Sequence, residues 1–345
     1  MSRRQITLAD LAKELGISTA TVSRALKDYP DISPETKKKV LELARSMNYR
    51  PNSLAAGLRK RESRIIGVII PSIVDHFFSS VIKGIMEIAY DAGYRVMLCQ
   101  SDESYEKEVA DAHALFDSRV DGILVSVAHG TEHYEHFVDF QETGIPIVFF
   151  DKVPSNMDTA SKVIVDDYEG AFRLVEHMIQ QGFGPIAHFR GPMIASTSRS
   201  RYQGYADAMK AHHMEPDESL VYPCQDITLE EGHAHALELI RRRPDCKGIF
   251  AVTDTVALGA MTGIKEAGLR IPGDMAIAGF SDWKISAIVD PPLTTVAQPG
   301  LEMGRRATEL LLMEIHAGKD QATFLPETVV LKTELKLRAS TLKID

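Results

Sequence analysis

Apolar residues in the first fifty positions recur with helical spacing. In "TLADLAKELG", Leu8, Leu11, Ala12 and Leu15 fall at i, i+3, i+4 and i+7, one stripe of a helix, with Thr7 as N-cap and Gly16 as a left-handed stop. After a short turn, "STATVSRAL" repeats the signal in miniature. Ser18 caps, Val22, Ala25 and Leu26 face inward, and Thr19, Ala20, Thr21, Ser23 and Arg24 make up the other face. A third helix is predicted from Ser33 as cap and Pro34 as first residue, with Val40, Leu43, Ala44 and Met47 as its stripe. Two short helices joined tightly, the second with a small, polar and basic outer face, describe a helix-turn-helix. Small side chains let such a helix sink into a major groove, where Ser and Thr hydroxyls bond phosphates or bases and Arg pairs with guanine. On periodicity alone, an ordinary helical hairpin fits as well.

From Ile65 the period changes. "RIIGVIIP", "YRVMLCQ", "DGILVSV", "IPIVFFD", "PIAHFRG", "KGIFAVT" and "MAIAGF" are continuous apolar runs, expected to be buried parallel strands. Amphipathic stretches separate them, including 79–92, 105–118, 202–212, 229–242 and 255–267. The alternation implies an α/β class of doubly wound parallel sheets, and two series of it imply two lobes. Ligands of such sheets bind at the carboxyl ends of strands. That rule singles out Asp75, Phe77, Phe78, Asp151, Thr197, Arg201, Thr253, Asp254, Ser281 and Asp282. Each also has a plain reading as core, cap or turn, and the functional one is favoured most at Arg201.

Charge sharpens the division. The chain carries a net −9, yet residues 1–64 hold 14 Lys/Arg against 7 Asp/Glu, leaving 25 against 41 in the remainder. A basic head on an acidic body suggests that only the head meets a polyanion. At 345 residues and 44% apolar, two or three folding units are expected. No apolar run reaches the ~18 residues of a membrane span. No apolar leader is seen, so a cytoplasmic location is expected. Cys99, Cys224 and Cys246 are odd in number and far apart, which fits idle thiols in a reducing compartment. The S-x-x-K match at Ser80–Lys83 lies on an amphipathic stretch without companion motifs, and no phosphate loop, nucleophile elbow or zinc-protease motif occurs. The pairs His212–His213 and His233–His235 are spaced wrongly to share a metal on a helix. Neither enzyme, metal nor cofactor is expected.

"TLADLAKELGISTATVSRAL", followed by "ISPETKKKVLELARSMNYRPNSLAAGLR", resembles the headpiece and hinge of the LacI/GalR family of bacterial transcription regulators. The resemblance runs on through "GVIIPSIVDHFFS", "VDGILVS", "VDDYEGAF", "SRYQGYADAM", "TDTVALGAM" and "PPLTTVAQP". It implies a helix-turn-helix headpiece (residues 1–50), a hinge helix (51–64) and a periplasmic-binding-protein-like core (65–345). Lobe 1 would comprise about 65–162 and 295–323, and lobe 2 about 163–294 and 324–340, with crossings near Val163, Thr294 and Phe324. The resemblance further implies that Thr19, Ala20 and Arg24 read bases, while Thr7, Ser18, Thr21 and Ser23 bond the phosphate backbone. Asn52 starts the hinge helix, and Leu58, with Ala55 beside it, enters the minor groove. Rings at Phe77 and Phe78 stack on an effector, and Arg201 clamps it. Lys27, His76, Ala195, Thr253 and Ser281 depart from the usual family residues, and those in the cleft block transfer of any particular effector.

Together these readings give a homodimeric repressor, rather than an activator, on a pseudopalindromic double-stranded operator, controlled by a small, sugar-like effector. Only ten residues follow Leu335, so no tetramerising helix is expected. A sugar receptor without DNA function would carry a leader and no basic head, and an enzyme is supported by fold analogy alone.

Overall fold

The structure is a computed structural model that describes residues 6–49, 62–320 and 323–342. The chain divides into two compact units, Met1–Ser63 and Arg64–Asp345. In the first, α1 (Leu8–Leu15) opens with a capping box. The Thr7 amide donates to Asp10 Oδ2 at 2.8 Å, and the Asp10 amide donates to Thr7 Oγ1 at 3.3 Å. It stops at Gly16, whose φ of 63° suits a residue without Cβ. α2 (Thr19–Leu26) and α3 (Pro34–Ser46) are capped by Ser18 and Ser33, which accept from the Thr21 and Thr36 amides. Caps of this kind contribute about 1 kcal/mol each. Leu11, Val22 and Val40 are fully buried at the centre, with Ala12, Ala25 and Ala44 filling the close approaches. Every predicted stripe position is buried or half-buried in this cluster.

The second unit begins with β1 (Ile65–Ile70), α4 (His76–Asp91), β2 (Arg95–Gln100), α5 (Tyr105–Asp117) and β3 (Gly122–Val125). A short α6 (Val138–Glu142), β4 (Ile147–Phe150) and β5 (Ser161–Val165) follow. The next series runs α7 (Asp167–Gln180), β6 (Ile186–Arg190), α8 (Ser196–Ala211), β7 (Val221–Pro223), α9 (Leu229–Arg242), β8 (Gly248–Ala251), α10 (Asp254–Glu266) and β9 (Ala276–Ala278). The chain closes with β10 (Thr295–Ala297), α11 (Gly300–Lys319), β11 (Thr328–Leu331) and β12 (Glu334–Lys336).

Two parallel sheets result, of order β11-β5-β4-β3-β1-β2 and β7-β6-β8-β9, and β10 pairs antiparallel with β12. β1, β3, β4 and β8 are buried along almost their whole length, which is why they read as unbroken apolar runs. In each sheet the chain leaves the first strand (β1 or β6), forms one neighbour, then returns past it to form the other. The crevices at the carboxyl ends of β1/β3 and β6/β8 are therefore switch points. α11 packs on α4 with backbones touching, since a Cβ on Gly84 would collide with the Leu301 carbonyl and one on Gly304 with the Val81 carbonyl. This pairing fixes the helix that carries Phe77 and Phe78.

The first crossing follows β5 directly, since Ala171, Leu174 and Val175 of α7 pack with Ile186 and Tyr205 of the second lobe. The other two need correction. β10 is bridged to the second sheet through Ala278–Thr294 and Ser281–Ala297, so the second crossing lies between Ala297 and Gly300, not near Thr294. β11 pairs with β5 in the first sheet, so residues 328–331 belong to lobe 1. The third crossing thus lies between Leu331 and Glu334, not near Phe324. β11 is an edge strand with half its side chains exposed, and that pattern does not distinguish it from a linker.

Candidate functional site

A cavity of about 540 Å³ lies between the lobes, lined by loops that follow the strands of both sheets. On the first-lobe side, Asp75 caps α4 and accepts from the Phe77 amide at 2.7 Å. Phe77 and Phe78 sit edge to face, 5.3 Å apart, largely buried but lining the cavity. Asp151 follows β4 in a left-handed turn, φ 58°, buried with Ser126 Oγ 3.5 Å from Oδ2. Burial pushes its carboxyl up to about 7. Lys152 and Arg201 oppose that shift, while Asp167 and Asp75 add to it.

On the second-lobe side, Thr197 lies in the first turn of α8 and Arg201 one turn further along. Arg201 is buried, with Nε donating to Asp167 Oδ1 and Nη1 to the Val252 carbonyl, both at 2.8 Å. Its guanidinium lies 3.8 Å over the Phe280 ring. Burial raises the Asp167 carboxyl, and Arg201 works against that rise. Thr253 caps α10, accepting from Val256. Ser281 lines the cavity with Oγ donating to Gln298 at 3.0 Å.

Two candidates are not free to serve as expected. The Asp254 carboxylate is spent on the scaffold, accepting from the Trp283 amide and Ser286 Oγ at 2.7 Å each and from Thr295 Oγ1. It tethers the loop after β9 to β10. Asp282 does not line the cavity. Its φ is 53°, and its Oδ1 accepts from Nη2 of Arg338, two residues past β12, at 2.6 Å.

Several lining or supporting residues were not predicted, among them Glu103, His129, Lys152 and Asp167. Glu103, after β2, binds Lys152 Nζ, accepts the His129 amide at 2.7 Å and lies 3.2 Å from His129 Nδ1. Burial alone would raise the Glu103 carboxyl, but Lys152 and His129 outweigh it and hold it near about 2. "FFDK" and "VDDYEGAF" contain Lys152 and Asp167, but only the topology supplies their partners.

In the N-terminal unit, Thr7, Ser18 and Thr21 form caps, with Ser18 Oγ 2.9 Å from Thr21 Oγ1. Thr19, Ala20 and Arg24 are exposed on α2 and Ser23 is half-buried. The Arg24 guanidinium is paired with Asp31 and stands 5.5 Å from the Tyr29 ring centre. Asn52, Ala55 and Leu58 lie outside the described residues. Among the described residues no cluster of His, Cys, Asp and Glu could hold a metal ion, and no helix is long and apolar enough to cross a membrane.

A helix-turn-helix unit and, in the same chain, two parallel α/β lobes facing a cavity with aromatic, hydroxyl and charged lining residues define a class: DNA-binding regulators that respond to a small ligand. Residues 7–52 match the model of bacterial regulatory proteins of the lacI family, and residues 175–341 match that of a periplasmic binding protein-like domain. The ribose operon repressor of Halalkalibacterium halodurans is 33% identical over 309 residues, 90% of either chain. A solved complex of the transcriptional regulator CelR with cellobiose is 27% identical, covering 97% of this chain and 100% of that one, TM-score 0.72. The lac repressor dimer bound to operator and the anti-inducer ONPF is 26% identical, covering 99% and 100%, TM-score 0.84. The chain belongs to the lacI family of bacterial regulatory proteins.

Proposed function

We propose that this chain is a homodimeric transcriptional repressor whose affinity for a pseudopalindromic operator is set by a small polyhydroxy, sugar-like molecule held between its lobes. The observation that carries the reading is the cavity at both switch points, where Phe77 and Phe78 offer aromatic edges and Thr197, Thr253 and Ser281 offer hydroxyls. Aromatic and hydroxyl groups converging on a space of this size suit a sugar, whose ring has apolar faces and a polar rim. The ribose operon repressor and the cellobiose-bound regulator support that class of ligand. The lac repressor dimer on its operator supports the mode of assembly.

In this reading Thr19, Ala20 and Arg24 contact bases, and Thr7, Ser18, Thr21 and Ser23 contact phosphates, while Asn52, Ala55 and Leu58 form a hinge in the minor groove. Effector and operator are linked through lobe closure, so an effector that binds the DNA-incompetent closure more tightly releases the operator. Operator binding measured at several salt concentrations tests it. The expected result is a steep fall of affinity with salt, altered by one member of a sugar panel, and a loss of operator affinity in Leu58→Ala with effector binding intact. Weak, salt-independent binding that no panel member alters refutes the reading.

A further inference from the structure

Six carboxylates (Asp75, Glu103, Asp151, Asp226, Glu230 and Asp254) line the cavity against two permanent cations, Lys152 and Arg201. Each cation is already paired with a carboxylate, so neither offers an uncompensated charge to an incoming anion. The Lys152 ammonium is nearly buried and bound to Glu103, which His129 braces from the other side. The Arg201 guanidinium is tied to Asp167 and to the Val252 carbonyl, with its face closed by Phe280. An anionic ligand would have to break one of these buried pairs and strand a carboxylate, or sit among carboxylates without a countercharge of its own. Stranding a buried charge is costly, and so is placing a like charge among carboxylates. A neutral ligand does neither. Its hydroxyls donate to Asp151 and Asp75 and accept from the N–H groups of Arg201 that Asp167 and Val252 leave open.

We infer that the cavity discriminates by charge, admitting uncharged polyhydroxy ligands and rejecting their carboxylate and phosphate counterparts. This rests on the sugar-effector reading and narrows it. Arginine in the cleft by itself suggests a clamp for a carboxylate. The pairing with Asp167 removes that role and leaves Arg201 as a neutralised donor platform.

The test uses the full-length protein and matched probes: ribose against ribose 5-phosphate, glucose against gluconate and glucuronate, and cellobiose against cellobionate. Binding is read by calorimetry and by operator release. For whichever neutral probe binds, its anionic counterpart is expected to bind at least about tenfold more weakly. In Glu103→Gln, which frees Lys152, that gap is expected to shrink by several-fold. An anionic probe that binds as tightly as its neutral partner in the parent protein overturns the inference and leaves the sugar-effector reading standing. If no probe of either kind binds or releases operator, the sugar-effector reading falls and this inference falls with it.

Discussion

On the second-lobe wall of the cavity, Asp254 accepts three hydrogen bonds and Asp167 takes a guanidinium, so each buried carboxylate there is matched to its own donors. Across the cleft, Asp151 is buried as deeply, yet its nearest hydrogen-bond partner is Ser126 Oγ at 3.5 Å, and its carboxyl is pushed up to about 7. Burial is common to both walls, and the difference lies in the supply of donors. A satisfied carboxylate is part of the frame, and altering it unbuilds the wall. An undersupplied one stores unused acceptor capacity, which a ligand with hydroxyl groups can satisfy. Asp254 and Asp167 thus belong to a pre-built frame on the second-lobe wall, and Asp151 is the carboxylate across the cleft where ligand chemistry has room to act.

The contrast is broken most forcefully on the second-lobe side. Arg201→Met strands Asp167 in the interior, at an expected cost of roughly 3–5 kcal/mol in chemical denaturation of the core. Effector response should vanish with it. Adding Asp167→Leu should recover most of that stability, because an apolar pair replaces a buried ion pair at little cost, while the response stays lost. If the double variant regains the response, Arg201 is frame and nothing more. Asp254→Ala leaves the Trp283 amide, Ser286 Oγ and Thr295 Oγ1 without their shared acceptor. A loss of roughly 3 kcal/mol is expected in the same denaturation measurement. A loss below 1 kcal/mol would mean the frame does not depend on it.

Asp151→Asn should do the reverse, and only at one end of the pH scale. The folded carboxyl sits at about 7, above its ordinary value of 3.8. The folded chain therefore holds a proton that the unfolded chain has released between those two values. Stability falls as pH rises through that window, and the cost of burying the charge is fully felt above 7. Lys152 and Arg201 face the group as cations, and Asp167 and Asp75 as anions, and none of them is altered by the substitution. The variant should match the parent near pH 4 and exceed it at pH 8, as read by urea denaturation at the two pH values. Equal stability at pH 8 would mean that a donor or cation reaches Asp151 after all.

Much of this frame was legible from residue pattern. The three helices of the N-terminal unit follow the predicted stripes, caps and stop residue to within a residue, because a small helical core has no other way to bury Leu11, Val22 and Val40. The buried strands β1, β3, β4, β6, β8 and β9 were legible for the same reason, whereas β2, expected to be buried, is a half-exposed edge strand, and β5 and β7 were not predicted. Helix starts at the cavity were not. α4 begins at His76 and α8 at Ser196, three and six residues before the predicted stretches, because their first turns carry cavity-lining polar and aromatic groups that break the stripe. No element was predicted over Gly300–Lys319, though Met303, Ala307, Leu310, Leu311 and Ile315 mark its buried side. The short strands β11 and β12 were hidden as well, since partial exposure leaves them no continuous apolar run, and β10 is buried but only three residues long. At the site, strand-end position found residues and topology found partners. Glu103, His129 and Lys152 come from three loops that only the strand order β4-β3-β1-β2 brings together.

Asp282 gives the smallest and most discriminating case. Strand-end position and family resemblance both place it at the ligand, whereas its carboxylate pairs with Arg338 Nη2 at 2.6 Å, outside the cavity. Both side chains are about a fifth exposed, at 25% and 19%, so solvent screens the pair and its loss should cost about 1 kcal/mol or less. Arg338 keeps a second anchor, donating Nη1 to the Leu293 carbonyl at 2.8 Å, which holds β12 near β10 without the ion pair. Asp282→Asn should therefore lower the melting temperature slightly and leave effector affinity as it was, whereas Ser281→Ala, one residue earlier and inside the cavity, should weaken the effector. If calorimetry instead shows Asp282→Asn losing effector affinity while Ser281→Ala keeps it, the side chain reaches the ligand on lobe closure. The frame assigned to the second-lobe wall would then have to include a residue that changes partner.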